Sequence, residues 1–257
     1  MDDRNPARVF GEVAEDYDRV RPPYPEALID DVLAYGEPGR RALEVGAGTG
    51  RATEALAARG VPVVAVEPDA AMADVLARRV ARFPDVEVVR SSFEEFRATE
   101  RFGLLFSAEA WHWTRTETRW ASAAAALGAG GTLAIWWNTE RIADPELRTA
   151  LLGVFARHAP SVVVNDQPRA PELVWKQWPG DQLSEVAEFG DRASRHYRRP
   201  LAMPAADYLG LTRTRSQYRM LPRETRRELL TALTDLFDDE VPLDVYSTLL
   251  LARRRDW

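Results

Sequence analysis

The chain has 257 residues, 46% hydrophobic and 29% charged, which is enough to bury the core of one large α/β domain. Its 34 basic and 40 acidic side chains leave a net charge of −6, which argues against nucleic acid or an anionic membrane as the main partner. The absence of cysteine excludes disulfides, thiolate-bound metals and thiol nucleophiles, and only three histidines are present, so we expect no metal site.

The first half of the chain alternates short apolar runs with helical patterns, which is typical of a parallel sheet with crossover helices. Gly60 is expected to end the first of these helices, and Asp69 to cap the second. Strands are predicted at 41–45, 61–66, 86–89, 102–106 and 132–137, and helices at 51–59, from 69 to about 82 and at 116–127.

The pattern changes after Asn138. Helices and loops are predicted at 141–180, an extended strand at 187–200, two or three helices between 203 and 238, and a final strand at 245–252. Because a strand pattern returns after this insertion, the sequence indicates a single domain that comprises residues 1–257, with the insertion as a cap.

A glycine-rich turn at residues 44–50, Glu-Val-Gly-Ala-Gly-Thr-Gly, follows the first strand and lets the backbone approach a ligand closely. A dinucleotide fingerprint would place a small residue where this chain has Arg51. Glu44 at a buried strand end needs a cationic partner, and pyrophosphate would add like charge. Glu67, at the end of strand two, can accept hydrogen bonds from both ribose hydroxyls. A ribose with a cationic group and no phosphate describes S-adenosylmethionine; the alternative is that both acids face water.

These features resemble the class I S-adenosylmethionine-dependent methyltransferases. The Tyr-Asp-x-x-Arg-Pro segment at 17–22 is similar to that of a small bacterial subgroup that includes relatives of trans-aconitate methyltransferase. The resemblance implies an α/β fold, a Rossmann-like, doubly wound, seven-stranded sheet with the last strand antiparallel and a helical cap inserted after strand five. In this scheme residues 1–25 form an N-terminal lid, and 139–186 and 201–240 form the cap over the active site. The matching segments are 44–50, 66–69, 90–96, 106–113 and 127–133, so the resemblance covers nearly the whole chain.

The resemblance also implies a set of cofactor contacts. In the lid, Arg21 would pair with the methionine carboxylate and Tyr17 would hydrogen-bond it, whereas the alternative is a surface helix packed on the sheet. The chain departs from the family pattern at Ser92, where aspartate is usual, and at Glu109, where glutamine is common. The predicted cofactor-binding residues are Tyr17, Arg21, Glu44, Gly46, Ala47, Gly48, Glu67, Pro68, Met72, Ser92, Phe93, Ser107 and Ala108.

An aromatic segment, Trp111-His112-Trp113, follows strand four at the end of the sheet where α/β proteins place their sites. His112 is the predicted catalytic residue, orienting or deprotonating the methyl acceptor. Tyr24, Trp111, Trp113 and Trp137 are predicted to contact that acceptor. The alternative is aromatic packing under the cap with a histidine that is only structural.

The sequence therefore predicts a methyltransferase that acts on the hydroxyl, carboxylate or amine of a small molecule. Two alternative functions remain compatible with the sequence: a non-methylating sensor or scaffold that binds S-adenosylmethionine, and an RNA base methyltransferase. Arg51 and Glu44 disfavour a third alternative, an NAD-dependent oxidoreductase. The N-terminus has no apolar segment and no run approaches the length of a membrane span, so a cytoplasmic protein is expected. An Arg- and Ala-rich composition with Lys176 as its one lysine suggests a bacterial source, and we expect a monomer or homodimer.

Overall fold

In the computed structural model, residues 11–36, 41–164 and 166–255 are described. Within these ranges the strands are β1 (Ala42–Val45), β2 (Val63–Val66), β3 (Val86–Val89), β4 (Phe102–Ala108), β5 (Leu127–Ile142), β6 (Phe189–Pro204) and β7 (Glu240–Arg254). The helices are α1 (Ala14–Val20), α2 (Glu26–Tyr35), α3 (Arg51–Ala57), α4 (Ala70–Val80), α5 (Arg119–Ala126), α6 (Pro145–His158), α7 (Gly180–Glu185), α8 (Ala205–Arg213), α9 (Ser216–Arg219) and α10 (Arg223–Thr234).

The described strands form one sheet in the order β3-β2-β1-β4-β5-β7-β6. Strands β1 to β5 pair in parallel, and the last strand is antiparallel, so the predicted Rossmann-like α/β fold is confirmed. The order reverses between β1 and β4, and open α/β sheets bind ligands outside the carboxyl ends of their strands at such a point. Glu44 pairs with Ala65 on one side and with Phe106 on the other, so it lies in the middle of the sheet.

Alternate residues of the central strands enter two different hydrophobic cores. Ala42 packs with the apolar faces of α2, α3 and α4, represented by Leu28, Leu56 and Leu76. Its neighbour Leu43 belongs to the second core, which includes residues of α5 and α7. Successive side chains of a strand point to opposite faces, so helices cover both sides of the sheet, as a doubly wound fold requires.

The predicted boundary residues of two helices are confirmed. The Asp69 carboxylate accepts hydrogen bonds from the backbone N–H groups of Ala71 and Met72, at 2.9 and 3.0 Å, and caps α4. Gly60 has a φ of 78° and its N–H donates to the Ala57 carbonyl, which ends α3 in the left-handed conformation that glycine tolerates.

The fifth strand differs from its prediction. It begins at Leu127 instead of residue 132, because the glycine-rich segment 128–131 continues the extended chain. Phe102 pairs with Leu127 and Leu104 with Thr132, so residues 128–131 form an irregular stretch between these two pairs. Gly131 has no room for a side chain, since an added Cβ would lie 2.9 Å from the Gly128 carbonyl oxygen.

The chain divides into two compact units. The larger contains the described residues in 23–138, 169–197 and 247–255, and the smaller those in 11–22, 139–168 and 198–246. Residues 169–186, expected in the cap, therefore lie in the larger unit, and the described part of the expected lid is divided between the two. Residues 1–10 of that lid lie outside the described residues.

The smaller unit has its own hydrophobic core. Buried side chains of α6, α8 and α10 meet there, including Phe155, Leu211 and Leu229, and Val20 of α1 joins them. Over the described residues, no helix has the length and apolar character needed to cross a membrane.

Candidate functional site

The glycine turn between β1 and α3 is held by backbone hydrogen bonds from the neighbouring strand. The N–H groups of Gly46 and Ala47 both donate to the Val66 carbonyl at 3.0 Å. Gly46 has a φ of 70°, and a Cβ there would lie 2.4 Å from the Cβ of Ala110. Gly48 also has a positive φ, of 58°. The turn therefore presents bare backbone at the carboxyl end of the sheet, which side chains would block.

Glu44, the residue before the last of β1, carries a buried carboxyl group. Its side chain is 1% exposed and accepts a hydrogen bond from the Thr53 hydroxyl of α3. Among the described residues, its other oxygen, Oε1, has no hydrogen-bond partner. Burial raises the pKa of Glu44 to about 8, the Thr53 hydrogen bond opposing this and nearby Glu67 adding to it. A buried acceptor of this kind is suited to an ammonium group.

Glu67 follows β2 and faces the same turn. Its Oε2 accepts the Gly48 N–H at 2.7 Å and its Oε1 accepts the Asp69 N–H at 2.8 Å. Burial raises the pKa of Glu67, and these two hydrogen bonds work against that increase. Each carboxylate oxygen can accept more than one hydrogen bond, so Glu67 keeps acceptor capacity for a pair of hydroxyls. The exposed Pro68 and the buried Met72 follow directly.

The predicted adenine-binding segment follows β3. The Ser92 hydroxyl accepts the Glu95 N–H at 3.3 Å, so it stabilises the local turn. Phe93 is buried, with its ring 6.2 Å from that of Trp111. This segment thus has a buried apolar side chain, Phe93, and a turn stabilised by Ser92. Its contact with adenine stays a prediction.

The end of β4 combines a buried hydroxyl with a backbone of rare conformation. The Ser107 hydroxyl donates to the Val45 carbonyl at 2.9 Å and links β4 to β1. Ala108 pairs with Trp136, and the next residue, Glu109, has a φ of 62°. A non-glycine residue in this region is costly and is often found at functional sites.

The aromatic segment 111–113 forms a short 3₁₀ turn that is stabilised by hydrogen bonds from Arg119. Trp111 is 2% exposed and packs 5.1 Å from the ring of Trp120. Arg119, 4% exposed, donates to the carbonyls of Trp111 and Thr114 at 3.4 and 2.8 Å. It also donates to the Thr116 hydroxyl at 2.7 Å. The guanidinium therefore fixes the turn that carries His112.

His112 extends from this turn with part of its ring open to solvent. Its ring lies 4.5 Å from that of Trp113 and 6.3 Å from that of Trp178, at 84° to the latter. Removal of water by the surrounding protein, together with the charge of Arg119, lowers the pKa of His112 to about 4. The solvent-open edge moderates this effect, but both causes act in the same direction. The imidazole is therefore neutral at pH 7 and can accept a proton.

The other predicted acceptor residues differ in their surroundings. Tyr24 contacts Trp136 edge to face, with ring centres 5.7 Å apart. Trp113 is 38% exposed, whereas Trp137 is half-buried under the guanidinium of Arg169, at 4.4 Å. Their contact with an acceptor stays a prediction.

The predicted lid residues Tyr17 and Arg21 belong to the smaller unit. The Arg21 guanidinium lies over the Tyr17 ring, 4.7 Å from its centre. One guanidinium nitrogen of Arg21 also donates a hydrogen bond to the Thr214 carbonyl, at 3.5 Å. Their predicted role at the cofactor is not tested by these contacts.

Three contributors to the site were missed by the sequence reasoning: Thr53, Arg119 and Arg169. Thr53 faces Glu44 because it lies in the first turn of α3, a position that the glycine motif could have indicated. Arg119 and Arg169 carry no motif. Among the described residues, no group of three or more histidine and acidic side chains is placed to hold a metal ion.

Comparison with known proteins agrees with this geometry. Residues 42–131 match the model of a methyltransferase domain family. The uncharacterized methyltransferases Rv3342 of Mycobacterium tuberculosis and Mb3374 of Mycobacterium bovis are each 37% identical over 131 residues, 51% of this chain and 52% of theirs. The yeast protein named "Probable S-adenosylmethionine-dependent methyltransferase CRG1" (Saccharomyces cerevisiae) is 28% identical over 127 residues, 47% of this chain and 44% of its own. The chain spans about half the length of the curated relatives it matches.

Solved structures share the fold. One from Anaeromyxobacter dehalogenans, assigned to type II methyltransferases, has a TM-score of 0.61 and 24% identity, over 91% of this chain and 97% of its own. Phosphoethanolamine N-methyltransferase 2 of Haemonchus contortus, solved with S-adenosylhomocysteine, has a TM-score of 0.55 and 14% identity, over 97% of this chain and 60% of its own.

Residues 42–131 of this chain thus match a methyltransferase domain, and the glycine turn and both acids lie inside that match.

Proposed function

We propose that this protein transfers the methyl group of S-adenosylmethionine to a small-molecule acceptor. The observation that carries the proposal is the pair of buried acids, Glu44 and Glu67, on either side of a bare glycine turn. A phosphate-bearing cofactor would place negative charge beside both carboxyl groups, whereas an ammonium group and a ribose supply the donors that they lack.

Glu44 would hold the ammonium group through its Oε1, the buried oxygen that has no partner among the described residues. Glu67 would accept the ribose hydroxyls while the Gly48 and Asp69 N–H groups hold its carboxylate in place. Phe93 would cover the base with its buried ring, supported by Met72. For Arg21 and Tyr17, contact with the methionine carboxylate stays a prediction of the sequence resemblance.

Bound S-adenosylmethionine supplies an activated methyl group, so the protein mainly has to orient the acceptor and exclude water. His112 is suited to the remaining step, removal of a proton from the acceptor. Its neutral imidazole stands on a turn that Arg119 fixes through two carbonyls, so the ring has a defined position. Trp113, Trp137 and Tyr24 would provide an apolar surface for the acceptor.

Calorimetric titration and a transfer assay together test the proposal. We expect S-adenosylhomocysteine to bind and NAD not to bind. With radiolabelled S-adenosylmethionine, we expect label to enter one or more members of a panel of small hydroxy, carboxy and amino compounds. Binding of NAD without S-adenosylhomocysteine would refute the proposal. Cofactor binding with transfer only to RNA, or with no transfer at all, would favour the base methyltransferase or the sensor.

A further inference from the structure

Four residues of the larger unit form a cluster linked by ring contacts and by one hydrogen bond to a backbone carbonyl. We call it the Trp178 cluster: His112, Trp137, Arg169 and Trp178. The His112 ring meets Trp178 edge-on at 6.3 Å, and Arg169 donates a hydrogen bond to the Trp178 carbonyl. Arg169 also lies over the Trp137 ring at 4.4 Å. Trp178 therefore contacts His112 through its ring and Arg169 through its carbonyl, and Arg169 in turn lies over the ring of Trp137.

The cluster lies at the carboxyl end of the sheet. Trp137 comes one residue after Trp136, which pairs with Ala108 at the end of β4. Parallel strands bring their ligands to this edge, so Arg169 stands on the side of the sheet from which a methyl acceptor must approach His112.

The charge of Arg169 is not neutralised by a neighbouring carboxylate. Two other half-buried arginines have carboxylate partners: Arg79 pairs with Glu54 at 2.5 Å, and Arg148 pairs with Asp166 at 2.6 Å. Among the described residues, Arg169 has no carboxylate within ion-pair distance. Burial lowers the pKa of Arg169, and the charge of Asp181 opposes this decrease. A half-buried cation without a partner is costly unless a ligand supplies the anion.

Arg169 also has hydrogen-bond donors to spare. Arg119, which lies over the Trp178 ring at 5.8 Å, directs its two terminal nitrogens to three oxygens of its own turn and so positions that turn. A guanidinium has five N–H donors, and Arg169 uses one side of its fork on the Trp178 carbonyl. The remaining donors can form a two-point contact with an oxyanion while Trp137 supports the face of the guanidinium.

We propose that Arg169 and the Trp178 cluster bind the anionic group of the methyl acceptor. The acceptor would be a small molecule in which a carboxylate or phosphate is attached to an apolar or aromatic body. The oxyanion pairs with Arg169, the apolar body packs on the indoles of Trp137 and Trp178, and the nucleophile is turned towards His112. This inference rests on the proposed function and narrows its substrate class.

Three nitroaromatic probes of similar size test the proposal: para-nitrobenzoate, its neutral amide para-nitrobenzamide, and para-nitrophenyl phosphate. Nitroaromatic rings quench tryptophan fluorescence, so quenching reports their binding next to the indoles. We expect the benzoate to bind about tenfold or more tightly than the amide, because a charge-assisted contact is lost in the amide. The phosphate probe shows which oxyanion Arg169 prefers.

The arginine is tested by substitution. In Arg169→Gln, the preference for the benzoate should fall to about twofold or less, and Arg169→Lys should retain part of it. Arg192→Gln is the matched control, because exposed Arg192 also donates to backbone carbonyls but has no assigned role in the site. Thermal melting shows whether each variant is folded. If Arg169→Gln is unfolded, the binding preference of Arg169→Lys is compared with that of the wild-type protein instead.

Equal binding of the benzoate and the amide to the wild-type protein would overturn the proposal. So would a preference that survives in Arg169→Gln, or no binding of any probe to protein that binds S-adenosylhomocysteine. The titrations are run with and without S-adenosylhomocysteine. Failure of S-adenosylhomocysteine to bind would count against the proposed function, whereas failure of the anion preference alone would count only against the role of Arg169.

Discussion

Glu44 makes cofactor binding depend on a proton. Burial raises its pKa to about 8, so the protonated carboxyl group predominates at pH 7 in the free protein. An ammonium group placed against Oε1 favours the carboxylate, so the proton must leave when the ligand binds. We therefore expect the binding of S-adenosylhomocysteine to release a proton at pH 7 and below, and to release fewer protons as the pH rises through about 8.

Calorimetry in buffers of different ionisation enthalpy measures this release directly. Below pH 8 the affinity should rise with pH, approaching tenfold per unit, because each binding event expels a proton. In Glu44→Gln the release should disappear, and affinity at pH 8 should fall by about 1.5–3 kcal/mol, or roughly 10- to 150-fold. The amide keeps the shape of the side chain and an acceptor for the Thr53 hydroxyl, so loss of the fold is not expected.

Methylthioadenosine is the matched control ligand, since it lacks the ammonium group. Its binding should release no proton from Glu44 and should change little in Glu44→Gln. A binding enthalpy for S-adenosylhomocysteine that is the same in every buffer would refute the reasoning, and so would equal losses for the two ligands in the variant. Either result would mean that Glu44 does not meet the ammonium group.

Five further outcomes are expected. Glu67→Ala should weaken S-adenosylhomocysteine binding by about 1.5–3 kcal/mol, the value for hydrogen bonds to a charged group, and an unchanged dissociation constant would remove Glu67 from the ribose site. Arg21→Ala should weaken S-adenosylmethionine binding but barely affect methylthioadenosine, which lacks the carboxylate; equal losses in titration would make the arginine structural. His112→Ala should lower the turnover number by roughly 100-fold or more with cofactor affinity unchanged. At saturating S-adenosylmethionine, the wild-type turnover number should stay level near neutral pH and fall at lower pH, where the imidazole becomes protonated. Gly46→Ala should destabilise the fold by about 1–3 kcal/mol in denaturant titration, because its Cβ would lie 2.4 Å from that of Ala110 with φ at 70°. Full stability in Gly46→Ala would show that the turn can move aside.

The sequence by itself determined the sheet core and the positions of the two acids beside the glycine turn. Short apolar runs predict strands because their side chains are buried on both faces, and the same runs place Glu44 and Glu67 at strand ends. Asp69 could be assigned as a helix cap because capping is local, involving N–H groups two and three residues away. Periodicity and capping depend on neighbours in the chain, so they can be read before the fold is known.

The tertiary structure alone decided the features that depend on distant contacts. The segment 128–131 is predicted as a turn from the sequence, but in the structure it continues β5 through the register shift opposite β4. Arg169 stands over Trp137, 32 positions earlier in the chain, and nothing in its proline-rich surroundings indicates that ring. Arg119 looks like an ordinary helix residue until its burial under the aromatic turn is seen. These placements arise from packing between segments far apart in sequence, and the local pattern of residues does not encode which surfaces will meet.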